Sequence, residues 1–254
     1  MIRLQAKRQQ WKIKEEPWLA GRVACMGWDV LKLLRVDLPV LNVQKGRADY
    51  LLDVTDNAQI KTRATRVVRF MERRDVVGLI AEQESWDWFS NRPPLALYMD
   101  SFAELTDQLF IHRRDKWQFC CNYSDLRHGP KFESQFETAG LLPVTDLLML
   151  YRRFFGMVRQ RWGNIPVVFL HFPTVLDKRE KFQLRYEYIR ESITQVAQEF
   201  PPFHSLAVDN SVVDWPEVKT PGLEGFPYHY NQRTYQVLAE QVRATAVFET
   251  LKLK

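Results

Sequence analysis

Cysteine is scarce and poorly spaced: Cys25, Cys120 and Cys121 are the only three, two of them adjacent. None falls into a CxxC or Cys/His ligand spacing, so neither a disulfide framework nor a zinc site organises this chain, and no metal or other cofactor is expected. Glycine is also sparse. Ten glycines yield no GxGxxG or Walker loop, and there is no HExxH pair. No apolar run approaches the ~20 residues of a membrane-spanning helix. Residues 1–14 are basic and polar, without the apolar centre of a signal peptide. The expectation is a cytoplasmic protein without a membrane span.

What is present is enough for a sizeable core. The 254 residues are 46% hydrophobic and 13% aromatic, which suits one large α/β domain. Lysine and arginine (36) outnumber aspartate and glutamate (31), giving a formal charge of +5. The excess is scattered, and its densest cluster is Arg63, Arg66, Arg69, Arg73 and Arg74. At helical spacing these read as a solvated basic face, and no nucleic-acid-binding motif accompanies them. An anionic, phosphorylated or nucleotide-linked substrate stays open.

The pattern alternates strands with helices. Residues 22–26 are an apolar run ending at Gly27, and 30–34 continue with helical periodicity, a strand–turn–helix signature. Residues 39–43 read as a second strand and 62–74 as an amphipathic helix with Val67, Val68 and Met71 inward. Residues 76–81 prolong that helix or begin another. After Pro93-Pro94, residues 95–99 are a continuous apolar run of the kind buried in a parallel sheet. A helix over 144–162 stops at Gly163, 166–170 form a fourth strand, 181–200 a helix, and 204–208 a fifth strand. A terminal amphipathic helix runs over 232–247. The expected fold is a single-domain, three-layer α/β/α sandwich on a mainly parallel sheet of about five strands. Residues 1–21 read as an N-terminal extension, 22–248 as the domain, and about 110–142 as an insertion or lid.

In open sheets of this kind ligands bind beyond the carboxyl ends of the strands. Gly27, Asp29, Arg47, Asp100, Ser101, His171 and Asp209 fall at those ends. His229 sits in Phe226-Pro227-Tyr228-His229-Tyr230-Asn231, delivered from a proline-containing loop to the start of the last helix. An imidazole so held suits proton transfer; its bland reading is a hydrogen bond to a carbonyl near the helix end. Asp100 either orients substrate or caps the next helix, and Arg47 either holds an anion or pairs with Asp49 or Asp53. His171 contacts substrate or stacks on its aromatic and proline neighbours. Asp29 binds substrate hydroxyls or begins a helix. Trp86, Trp88 and Phe89 stack on a sugar or fill space between layers.

The strand-end turn Met26-Gly27-Trp28-Asp29, the strand end Tyr98-Met99-Asp100-Ser101-Phe102 and the segment Phe226-Pro227-Tyr228-His229-Tyr230 together resemble the SGNH (GDSL-like) hydrolases. The nearest likeness is to members of bacterial polysaccharide-biosynthesis loci. The resemblance spans about 22–246 in layout. It implies an ester hydrolase or acyltransferase acting on an acylated carbohydrate, with His229 as general base, Asp209 or Glu224 as orienting acid and backbone N–H groups near Gly27 as an oxyanion site. The family pattern places a serine after Gly-Asp at the first strand end, where this chain has Trp28-Asp29, and an aspartate three residues before the histidine, where it has Phe226. Ser101 and, second, Cys25 are the substitute nucleophiles, with Cys25 read as a small residue inside the first strand. The alternative is a catalytically silent SGNH-like module that binds a carbohydrate or a protein through the same cleft.

Overall fold

The computed structural model describes residues 16–218 and 225–251. In chain order, strand Leu19–Arg22 (β1) leads into helix Cys25–Leu33 (α1), and Val40–Asn42 (β2) leads into Ala48–Asp56 (α2). Two short helices follow, Ala64–Val67 (α3) and Val77–Ser85 (α4), then Ala96–Asp100 (β3) and Phe102–Thr106 (α5). Next come Asp107–His112 (β4), Gln118–Asn122 (β5), Pro130–Glu133 (α6) and Phe136–Leu141 (β6). The chain then alternates again: Leu147–Trp162 (α7), Val167–Leu170 (β7), Glu180–Glu199 (α8), Phe203–Leu206 (β8), Gln232–Arg243 (α9) and Val247–Leu251 (α10).

Five of these strands form one parallel sheet in the order β2-β1-β3-β7-β8, with helices on both faces. Every residue of β1, β2, β3 and β7 is buried, whereas β8 is a half-buried edge. This is the doubly wound α/β/α architecture that continuous apolar strands require, because helical crossovers hide both faces of a parallel sheet. The order reverses between β1 and β3, so the crevice beyond their carboxyl ends is the topological switch point.

Two expected elements differ. The first strand ends at Arg22, and residues 25–26 already belong to α1, whose first backbone bond runs from Trp28 N to Ala24 O at 3.2 Å. The shift arises because Arg22, which looked like a polar strand start, is fully buried as an ion pair. The strand is therefore built from Leu19 onward, inside the segment read as an extension. The helix expected over 62–74 breaks after α3 into a 3-10 turn, Val68–Phe70. Residues 70–72 then pair with 125–127, through Arg127 N to Phe70 O at 2.7 Å and Glu72 N to Asp125 O at 2.8 Å. That pairing buries Met71 but leaves Val68 exposed.

The segment read as an insertion or lid contains a three-stranded antiparallel sheet in the order β5-β4-β6. With α3 and α4 it encloses a second hydrophobic cluster that includes Val67, Phe70, Ile80, Phe110, Phe119 and Phe136. Trp86, Trp88 and Phe89 pack with Trp18 and Trp162 at the amino ends of the strands. Trp88 Nε1 donates to Leu41 O at 2.9 Å. They therefore fill space between layers, away from the carboxyl ends of the strands.

Arg22 holds the switch point together. One terminal nitrogen donates to Gly46 O at 3.1 Å after β2, the other to Asp100 O at 3.1 Å and to Glu104 Oε2 at 2.7 Å. Glu104 also accepts from Ala48 N at 2.9 Å. Removing one partner of such a pair strands a buried charge. Glu104→Gln is expected to cost about 3–5 kcal/mol in denaturant unfolding, and the volume-matched double change Arg22→Met with Glu104→Leu to cost less than either single change. Additive losses in that cycle would contradict this account.

Candidate active site

The switch point is built from the β1–α1 and β3–α5 turns, clamped by Asp100. Its Oδ2 accepts from Ala24 N at 2.6 Å and its Oδ1 from Phe102 N at 3.0 Å. Asn42 reinforces the first turn, accepting from Val23 N at 3.0 Å and donating to Val23 O at 3.1 Å. Asp100 is 1% exposed. Burial raises its pKa to about 7 against the pull of those two N–H donors. Both oxygens being occupied, Asp100 fixes the two turns relative to each other.

Close packing does the rest. Gly27 lies in the first turn of α1, and a Cβ there would meet Val23 Cβ at 2.5 Å and Asp100 Oδ2 at 3.3 Å. Glycine is thus required by the approach of α1 to the strand end. The glycine expected at the turn itself is the third residue of the helix, and the first is Cys25.

Helices α1 and α9 bring the two chemically able side chains to one end. Arg243, the last residue of α9, donates to Leu33 O, at the end of α1, at 3.0 Å. The Asp29 charge on α1 reaches His229 and that of Cys25 reaches Tyr230, so the segment entering α9 lies near the start of α1. Cys25 is the first residue of α1. Asn231 caps α9 by accepting from Thr234 N at 3.0 Å, which places His229 two residues before that cap. Asn231 N donates to Asp214 O at 2.9 Å, fixing the approaching loop to the segment after β8. Tyr230, buried beside His229, donates its hydroxyl to Pro173 O at 2.7 Å after β7 and receives the electrostatic influence of Cys25.

The electrostatics of the pair are defined by α1. His229 is half-buried, and burial lowers its pKa below 6.5; Asp29 opposes that shift and Arg73 adds to it. Asp29 lies one turn along α1 from Cys25 and pairs with Lys32 at 2.8 Å. The Cys25 thiol, partly accessible, is pushed up to about 12 by burial and by the carboxylates of Asp100 and Asp29, while backbone N–H groups of Met26 and Cys25 act the other way. At neutral pH the imidazole is neutral and the thiol protonated. The N–H groups at the start of α1 have no intrahelical acceptor; that of Ala24 is taken by Asp100, and those of Cys25 and Met26 lie against the Cys25 sulfur.

Other expected site residues serve the scaffold. Ser101 is wholly buried and its Oγ accepts from Phe172 N at 2.9 Å. His171, also buried, places Nε2 2.9 Å from Ser205 Oγ, packs against Phe169 and Tyr186, and has its pKa lowered to about 3 by burial and Arg190. Arg47 is buried, gives Nε to Asp49 at 3.0 Å and reaches Asp107 O at 3.3 Å, tying the β2–α2 turn to the antiparallel lobe. Asp209 is on the surface, accepting from Ser211 N at 2.8 Å as a turn cap. Glu224 lies outside the described residues. Sequence reasoning placed Cys25 inside a strand and Arg73 on a solvated face. The Cys25-x-x-x-Asp29 spacing, one helical turn, was the available signal once the strand was moved back.

No family model matches the chain, and no curated protein does. Among solved structures, a salicylyl-acyltransferase, SsfX3, from a tetracycline biosynthetic pathway is similar at 12% identity and a TM-score of 0.39, covering 89% of this chain and 52% of that one. An acetyl xylan esterase, Est2A, from the rumen bacterium Butyrivibrio proteoclasticus is similar at 11% identity and a TM-score of 0.39, covering 89% of this chain and 63% of that one. The chain thus spans between half and two thirds of the length of each.

Two expectations follow for the scaffold. Gly27→Ala forces a methyl into Val23 and is expected to destabilise by about 1–3 kcal/mol, measured by urea unfolding. Asp100 has a folded-state pKa raised from 3.8 to about 7, so its contribution to stability is present below the unfolded value and lost as pH rises through 7. Wild-type stability attributable to this group therefore falls between pH 4 and pH 8, and Asp100→Asn should flatten that slope in thermal melts taken across the range. An unchanged slope would remove Asp100 as its source.

Proposed function

We propose that this chain is an SGNH-like acyl-transfer enzyme, an ester hydrolase or acyltransferase acting on an acylated carbohydrate, with His229 as general base and Cys25 as nucleophile. The observation that carries the reading is the contact between α1 and α9, with Cys25 first in one helix, His229 just ahead of the other, and the charge of Asp29 reaching His229. The surface-polysaccharide setting rests on the resemblance of residues 226–230 and their neighbours.

The chemistry follows from the protonation states. A thiol pushed up to about 12 needs a base at the moment of attack, and an imidazole held neutral by burial is suited to take its proton. Sulfur adds to the ester carbonyl as the proton passes to His229. Collapse of the tetrahedral adduct breaks the bond to the sugar oxygen, which leaves with that proton, and a thioester remains on Cys25. Water or a second hydroxyl then attacks the thioester, giving its proton to His229; the C–S bond breaks and that proton passes to the leaving sulfur, restoring the Cys25 thiol. The Asp29 charge favours the transient imidazolium.

Ser101 is replaced as nucleophile because its hydroxyl is engaged with Phe172 N away from solvent. Short aryl esters test the reading. Cys25→Ala and His229→Ala are each expected to lower kcat/KM by about 10²–10⁴-fold, with Ser101→Ala within a few-fold of wild type. Because the His229 pKa lies below 6.5, the acid limb of the kcat/KM profile should also lie below pH 6.5. Wild-type turnover indifferent to His229→Ala would sink the mechanism. Saturable binding of an acylated sugar without turnover would favour the silent carbohydrate-binding module instead.

A further inference from the structure

The antiparallel lobe carries a cavity of about 280 Å³ that the switch point does not use, lined by Arg69, Phe70, Arg127, His128, Lys131 and Phe132 among others. Its geometry is set by the pairing of residues 70–72 with 125–127. Arg127 N donates to Phe70 O at 2.7 Å, and the Arg127 guanidinium donates to Arg69 O at 3.0 Å. Two arginines and a lysine therefore converge on one hollow.

Their charges are poorly offset from within the protein. Arg127 has one carboxylate neighbour, Glu72, at 3.6 Å, and that side chain is itself well exposed. Arg69 bonds the neutral amide of Gln135 and lies 4.8 Å above the Phe70 ring. Lys131 enters no ion pair among the described residues. Like charges brought together at a concave surface create a positive potential that an oxyanion relieves, and guanidinium forks match phosphate oxygens.

The floor and one wall are flat and apolar. Phe70 and Phe132 are buried and meet edge to face at 5.4 Å. His128 stacks on exposed Tyr123 with ring centres 3.7 Å apart and an interplanar angle of 11°, its Nε2 2.7 Å from Tyr123 O. The hollow is thus lined by both cationic and aromatic side chains.

We propose that this cavity binds a phosphorylated small molecule carrying a ring, the phosphate lying between Arg69, Arg127 and Lys131 and the ring against Phe70, Phe132 and His128. The site is separate from Cys25 and His229, and its occupancy does not depend on the ester chemistry. Isothermal titration with phenyl phosphate, and with inorganic phosphate, is the test. Phenyl phosphate is expected to bind saturably and more tightly than inorganic phosphate, with affinity falling as salt is raised. Arg69→Ala with Arg127→Ala should weaken it about tenfold or more, since each loses a charge-assisted bond, and Lys131→Ala should weaken it several-fold. Arg190→Ala, on the remote face of α8, and His229→Ala should bind as wild type. Circular dichroism melts confirm that the double variant is folded. The proposal is overturned if that folded double variant binds phenyl phosphate as wild type does, or if the wild type shows no saturable binding at millimolar concentrations.

Discussion

One buried guanidinium ties the carboxyl ends of the central strands together. Arg22 closes β1, reaches the carbonyl after β2 and the carbonyl that ends β3, and is neutralised by Glu104 on α5. A charge in a dry interior is tolerated only when its partners are in place. The three turns around the switch point are therefore fixed together or not at all. Most of the crevice geometry descends from that constraint, including the path of α1 away from the strand.

Asp100 adds a second tie of a different kind. Arg22 fixes carbonyls, while Asp100 fixes the N–H groups that open the β1–α1 turn and α5. Together they fix the first turn of α1, with Cys25 at its start. The last helix then supplies the imidazole. The Arg243 to Leu33 bond aligns α9 with α1, and the Asn231 cap sets where the helix begins. Rigid elements thus hold both Cys25 and the segment that carries His229.

The lobe is joined to this centre by buried charge. Lys45, after β2, meets Asp107 and Asp125 of the lobe, each at 3.1 Å, and Arg73 approaches Asp125 at 3.7 Å while its charge also reaches His229. Arg47 spans the same seam. A lobe held through desolvated ion pairs has a fixed orientation. Its basic hollow and the switch point are consequently two stations on one body.

Much of the fold was legible in the sequence. Residues 95–99, 166–170 and 204–208 announced themselves as short strands between periodic helices, and the amphipathic stripe read over 232–247 located α9, which ends at Arg243. The sheet class followed from that alternation, because parallel neighbours need crossovers. Other features were hidden because long-range contacts decide them. Arg22 reads as a polar strand start until Glu104, far along the chain, is seen to bury it, and that one reassignment moves Cys25 from strand interior to helix start. Residues 62–74 have helical spacing, yet pairing with 125–127 breaks the helix. Ser101 and His171 stand at strand ends by position, and only packing reveals that Phe172 N and Ser205 Oγ occupy them. The sequence by itself determined the layered α/β class and the junction of His229 with the last helix, since both rest on local periodicity and turn chemistry. The tertiary structure alone decided which charges reach that histidine, because the contact of α1 with α9 joins residues about two hundred positions apart.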